Sequence, residues 1–171
     1  MAAIVVRPMI EYASEVETIA GWFYEEWRSF YSTETQASVQ RRIESWCTHG
    51  KVPTALVAVT EGHVIGTVAL KEHELRQCAY SPWLAGLFVV PAFRRQRVGE
   101  LLVRAAESEA EILGVKELYL YTPESQSYYE RLSWSVIEQH QVPRGLVAVM
   151  SKALKPFPSN EPLTAAAEVR R

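Results

Sequence analysis

Short apolar runs and longer stretches of three- and four-residue periodicity alternate along this chain, and they order themselves as β-α-α-β-β-β-α-β-α-β-β. The first run, 4–7, reads as a strand limited by Pro8. Ser14 stands where an N-cap would, with Glu17 three residues on, the pattern of a capping box. The helix it predicts runs to about Phe30, with Val16, Ile19, Ala20, Phe23 and Trp27 along one face. A second helix is predicted over 35–49, with Val39, Ile43 and Trp46 as its stripe and Gly50 at C′. Runs 55–60 and 64–70 flank Glu61-Gly62-His63, a hairpin signal, and the second run is expected to continue through 71–74.

The central stretch, 83–113, carries the strongest pattern. Residues 84–90 form a continuous apolar run, the signature of a strand buried on both faces, and Pro91 ends it. Arg94, Arg95 and Arg97 then crowd around Gln96, and Gly99 opens a helix whose apolar positions include Val98, Leu101, Leu102, Ala105, Ala106 and Ile112. Gly114 closes it. The next strand, 117–122, is reached through that crossover helix and is therefore expected to run parallel to 84–90. A short helix over 125–132 and two strands, 135–141 and 146–151, joined around Pro143-Arg144-Gly145, complete the pattern. From Pro156 the composition turns to Pro, Ser, Asn, Ala and Glu, so 1–155 reads as one domain and 156–171 as a tail.

Composition narrows the function without naming it. A net charge of −2 over 171 residues argues against a general nucleic-acid binder. Cys47 and Cys78 have no metal-ligand spacing and form no disulfide framework, which reads as reduced thiols in a cytoplasmic protein. The N-terminal apolar run is too short for a signal peptide, and no stretch has the roughly 18 apolar residues of a membrane span. Neither a membrane nor a metal is expected as a partner. No G-x-G-x-x-G and no G-x-x-x-x-G-K-[ST] occurs.

The basic turn has a chemistry of its own. A helix N-terminus offers unpaired backbone N–H groups and the positive end of the helix dipole, and three arginines add forked donors suited to phosphate oxygens. The turn is therefore either an anion site or a solvated helix start.

Residues 89–99, V-V-P-A-F-R-R-Q-R-V-G, resemble the acetyl-CoA signature of the Gcn5-related N-acetyltransferases (GNAT), V-x-P-x-[YF]-[QR]-x-x-G-x-[GA]. Arg94 matches the [QR] position and Gly99 the last glycine, while Arg97 replaces the first glycine. Downstream, Tyr128-Tyr129-Glu130-Arg131-Leu132-Ser133-Trp134 resembles the family's second signature, [FY]-Y-x-x-x-G-[FYW], with Ser133 in place of its glycine. The resemblance implies an α/β (α+β) fold with a mixed, mostly antiparallel central sheet and helices on both faces. It implies acetyl-CoA as donor and a primary amine as acceptor, attacking directly in a ternary complex.

It also assigns residues. Main-chain atoms of Leu87, Phe88 and Val89 would meet the pantetheine arm. Arg94, Arg95, Gln96, Arg97, Val98 and Gly99, with Glu100 beyond, would hold the pyrophosphate. Arg97 is expected either to point away from it or to grip a phosphate directly. Tyr129 would protonate the leaving thiolate, since a phenol with a pKa near ~10 rests protonated. For the base, Glu72 is the first choice and His73 the second, on the premise that strand alternation places them on opposite faces. Tyr121, Glu25, Glu26 and a water chain are further candidates. The aromatic first helix, with Trp27 and Tyr31, suggests an acceptor pocket, and His73 is a second substrate contact. The acceptor reads as a small molecule. A protein or peptide N-terminus and a non-catalytic CoA-binding module are the alternatives. The last two strands and the tail are where a second copy would dock.

Overall fold

A computed structural model describes residues 2–30, 33–75 and 78–155. Seven strands form one sheet in the order β1-β2-β3-β4-β5-β7-β6. They are β1 (Val5–Pro8), β2 (Thr54–Thr60), β3 (His63–Lys71), β4 (Trp83–Val89), β5 (Glu117–Thr122), β6 (Ser135–Val142) and β7 (Gly145–Ala153). Every neighbouring pair is antiparallel except β4 and β5. That pair is parallel, as the crossover through a helix requires. The helices are α1 (Val16–Trp27), α2 (Gln36–Glu44), α3 (Val98–Ile112) and α4 (Gln126–Glu130).

The sheet carries a core on each face. On one side Val98, Leu102, Val103, Ala106 and Ala110 of α3 pack onto Leu56, Ile65, Val68, Leu84, Leu118 and Leu120. On the other, Ile19, Ala20 and Phe23 of α1 and Val39 and Ile43 of α2 pack onto Val57, Val59, Ala69 and Phe88. The alternation along β2 and β3 divides the strand residues between the two cores, so both strands are buried on both faces.

Three local expectations change. The capping box at Ser14 does not form, because Met9–Glu15 is a 3₁₀ stretch that leads into α1, which has no side-chain cap. The box sits instead on α2, where Thr35 Oγ1 accepts from the Ser38 backbone N–H at 3.2 Å and Ser38 Oγ accepts from the Thr35 N–H at 3.0 Å. That helix stops at Glu44 rather than 49, and Trp46 is buried from the turn that follows, stacking obliquely on Phe23. Gly50, at φ +73°, belongs to a later turn. The proposed tail, 156–171, lies outside the described residues.

The site is prepared by a break in the sheet. Strands β4 and β5 share one register pair, Trp83 with Tyr119, and then diverge. Residues 85–87 and 89–90 are consequently only half-buried, against the expectation of burial on both faces. A β-bulge adds to this, since Thr67 opposes Phe88 while Ala69 opposes Ala85, and Gly86 adopts φ +59°. A side chain at Gly86 would also meet the Phe23 ring at 3.3 Å.

Candidate active site

Two clefts open on the splayed strands. The first, of about 600 Å³, is lined by Leu87, Phe88 and Val89 of β4, by the turn after it, by the start of α3, and by Tyr128 and Arg131. Its floor is the α3 N-terminus. Among the described residues no side chain caps that helix, so its first-turn N–H groups, which have no intrahelical partners, are left without a side-chain acceptor. Arg95 and Arg97 stand at φ +60° and +64°, so two residues of the turn that leads into α3 are left-handed. Arg97 thus takes the left-handed conformation that a glycine adopts freely.

The arginines have different partners. Arg94 Nε donates to the Val89 carbonyl at 2.9 Å, and its guanidinium pairs with Glu26 at 3.3 Å and lies over the Phe88 ring. It fastens the turn to the strand end and to α1. Arg97 is highly exposed and pairs with Glu100 at 3.0 Å, so its side chain leans along α3. Glu100 also lies 3.9 Å from Arg104. The Glu100 carboxylate in the first turn of α3 is therefore offset by two guanidinium groups. Of the expected cofactor residues, Leu87, Phe88, Val89, Arg94, Arg95, Arg97, Val98, Gly99 and Glu100 line this cleft. Gln96 does not, and its Nε2 donates back to the Ala92 carbonyl.

Tyr128, which fills the aromatic position of the second signature but receives no role from it, also lines this cleft. Its hydroxyl is buried with no partner among the described residues. A Cβ at Gly99 would stand 3.1 Å from that oxygen. Gly99 is therefore needed by the phenol as much as by any ligand. Burial, and then the nearby Glu100 carboxylate, push the Tyr128 pKa up. Its unsatisfied hydroxyl over a bare helix start is a signal that only coordinates supply.

The second cleft, of about 680 Å³, lies across β4 between α1 and the β6–β7 hairpin. Phe23, Trp27, Trp46 and Tyr121 give it aromatic walls, and Lys71, Glu74, Glu124, Arg42 and Arg144 give it charge. Leu87 belongs to both clefts, so they adjoin at the bulge. Tyr129 lines this second cleft, with its ring 5.0 Å from that of Tyr128 and nearly perpendicular to it. The two adjacent tyrosines thus face different clefts. Burial raises the Tyr129 pKa well above the usual phenol value.

The carboxylate candidates are rearranged. Strand β3 ends at Lys71, so the alternation expected through 72–74 is not maintained. Glu72 and His73 are exposed and line neither cleft. Glu74 does line the second cleft, where it contacts Lys71, itself over the Trp46 ring. Trp27 takes the expected place in the wall, and Tyr31 lies outside the described residues. Glu26, also weighed as a base, is instead the partner of Arg94.

A family model for the acetyltransferase (GNAT) family matches residues 17–134, a span that holds both clefts' central elements. The chain belongs to the Gcn5-related N-acetyltransferase family. No match was found among curated proteins. Among solved structures, an aminoglycoside 6′-N-acetyltransferase complexed with coenzyme A has a TM-score of 0.73 at 16% identity, covering 90% of this chain and 99% of that one. The aminoglycoside 6′-N-acetyltransferase from Enterococcus faecium gives 0.69 at 15%, over 90% and 99%. The PaiA N-acetyltransferase from Thermoplasma acidophilum, in complex with coenzyme A, gives 0.64 at 20%, over 88% and 99%. The GNAT chain described here shares their fold: a mostly antiparallel sheet with helices on both faces.

Proposed function

We propose that this GNAT chain transfers the acetyl group of acetyl-CoA to a primary amine of a small molecule, by direct attack in a ternary complex. The observation that carries the reading is the adjoining pair of clefts on the β4 bulge, one basic and ending on a helix N-terminus, the other aromatic. The fold neighbours complexed with coenzyme A support the donor, and the aminoglycoside acetyltransferases among them support a small amine acceptor. The second cleft is walled on one side by α1 and on the other by the β6–β7 hairpin, which suits a compact acceptor better than an extended peptide.

The turn from Arg94 to Gly99 holds the pyrophosphate through the first amides of α3, and Tyr128 donates its unpaired hydroxyl beside them. Main-chain groups of Leu87, Phe88 and Val89 take the pantetheine arm toward the bulge. In the second cleft the acceptor nitrogen bonds to the acetyl carbon, the C–S bond breaks, and the sulfur takes a proton from Tyr129. A phenol whose pKa is raised by burial stays protonated through neutral and alkaline pH, so the donor is always charged with its proton. The amine's proton leaves toward the carboxylates that line the cleft, Glu74 or Glu124, directly or through water. This replaces Glu72, which is exposed outside the cleft.

A thiol-release assay over a panel of small amines, aminoglycosides and peptides tests the reading. Turnover is expected with a small primary amine. Thiol release with peptides alone would transfer the activity to the protein-acetylating alternative, and acetyl-CoA binding without turnover would leave a CoA-binding module. Tyr129→Phe should lower kcat by roughly 10²- to 10⁴-fold, with acetyl-CoA affinity unchanged. Wild-type kcat should show no fall with rising pH up to about pH 10, because the Tyr129 proton is held above the ordinary phenol range. A loss of kcat beginning near pH 8 would remove Tyr129 from the acid role.

A further inference from the structure

Cys78 and His140 are 62 residues apart in sequence, and neither belongs to the clefts described above. The fold nevertheless brings them together with Glu138. Strand β6 is the sheet's edge, and Glu138 and His140 stand opposite Val149 and Val147 of β7, on the side of the sheet that carries the acceptor cleft. Cys78, in the stretch 78–82 that leads into β4, meets the two side chains there. Cys78 Sγ lies 3.6 Å from Glu138 Oε1 and 3.9 Å from His140 Nδ1, and those two atoms are themselves 3.9 Å apart.

We infer that Cys78, Glu138 and His140 form a binding site for one divalent transition-metal ion of the zinc type. Thiolate, imidazole and carboxylate are the donor set that such an ion takes. Four-coordinate zinc holds sulfur at about 2.3 Å and nitrogen or oxygen at about 2.0–2.2 Å, so its donor atoms stand roughly 3.4–3.6 Å from one another. The observed triangle needs to contract by only a few tenths of an ångström. All three side chains are half-buried, which leaves a path for the ion and a fourth position for water.

The surroundings orient the donors. The Tyr80 hydroxyl donates to Glu138 Oε2 at 3.4 Å, the oxygen that does not face the cluster, and so turns Oε1 inward. Tyr80 is itself stacked on Tyr119 of β5 with ring centroids 4.7 Å apart, and its carbonyl accepts from the Trp83 indole N–H at 2.6 Å. Ligating carboxylates are commonly held by a hydrogen bond from outside the donor set, the position Tyr80 takes here. Binding of the ion by the Cys78 sulfur as a thiolate displaces the thiol proton. The ion would fasten Cys78, and with it the stretch that leads into β4, to β6. That strand leads directly into Val142, which lines the acceptor cleft.

The test is a titration of the metal-stripped full chain with cobalt(II), followed by displacement with zinc(II). One equivalent of cobalt should develop a thiolate-to-cobalt charge-transfer band and the strong visible bands of four-coordination, and zinc should abolish both. Cys78→Ser should eliminate the charge-transfer band, whereas Cys47→Ser should leave it intact. Glu138→Gln and His140→Ala should each weaken binding at least tenfold, and Tyr80→Phe about tenfold. Acetyl-CoA binding by each variant reports that it has folded. The inference is overturned by the absence of a band at millimolar cobalt, by a band that survives Cys78→Ser, or by unchanged affinity in both Glu138→Gln and His140→Ala. Should Cys78→Ser fail to fold, the Glu138, His140 and Tyr80 variants decide the question alone.

Discussion

Arg97 and Ser133 occupy the two places where the family signatures carry glycine, and both keep a glycine's backbone, at φ +64° and +67°. The left-handed conformation costs a residue with a Cβ about 1–2 kcal/mol. The chain keeps the turn shapes and accepts that strain. At Arg97 the side chain is directed along α3 to Glu100, which leaves the proposed phosphate contact to the backbone. Ser133→Gly should therefore raise stability by about 0.5–1 kcal/mol in urea unfolding, because glycine relieves the strain but gains freedom in the unfolded chain. A loss of stability in that variant would mean that the serine makes a contact worth more than the strain. The signatures in the sequence located these two residues but not their angles. A backbone dihedral answers to the elements on either side of it, and here β4, α3, α4 and β6 were already anchored.

At the scale of elements, α3 is held to the far half of the sheet by one buried acid. Glu107 is almost fully buried; it accepts from the Trp134 indole N–H at 2.9 Å and from Lys152 Nζ at 2.7 Å. Lys152 also donates to the Leu132 carbonyl at 2.8 Å. Helix α3, strand β7 and the turn out of α4 thus meet at one ion pair. Removing one partner of a buried pair leaves an uncompensated charge, so Glu107→Ala should cost about 3–5 kcal/mol in chemical denaturation. A cost below about 1 kcal/mol would show that water enters and replaces the carboxylate. The sequence marked α3 through its period and Gly114, and it marked the Trp134 segment through its motif. It offered no link between them, because a lone glutamate on a helix is indistinguishable from a solvated one until its neighbours are known. The helix starts show the same limit. Ser14 and Glu17 have the spacing of a capping box, yet the 3₁₀ stretch before α1 takes Ser14 out of position, while Thr35 and Ser38 make the box in fact.

At the scale of the whole molecule, two hydrophobic cores share one sheet, and β2 and β3 contribute to both. Neither core can dissolve without exposing strands that the other buries. Unfolding should therefore be one cooperative transition, with coincident curves from far-ultraviolet circular dichroism and tryptophan fluorescence, since Trp134 reports one core and Trp46 the other. Saturation with acetyl-CoA at about 100 times its dissociation constant should stabilise both by about 2.7 kcal/mol. Two separate transitions would mean that the α1–α2 layer melts on its own.

The sequence by itself determined the order of elements, the parallel step across α3, the basic turn and the family. Each of these rests on local information: apolar period, proline and glycine positions, and a motif whose residues are contiguous. Tertiary structure decided what depends on distant segments meeting. The splay of β4 from β5 exposes residues that their apolar run suggested were buried. The neighbours Tyr128 and Tyr129 are directed into different clefts. Glu74 rather than Glu72 reaches the second cleft, because the strand ends at Lys71. Cys78 meets Glu138 and His140 across the sheet face. In each case the deciding quantity is where a side chain points once two or more strands are paired, and hydrogen-bond register and packing set that direction after the local pattern has done its part.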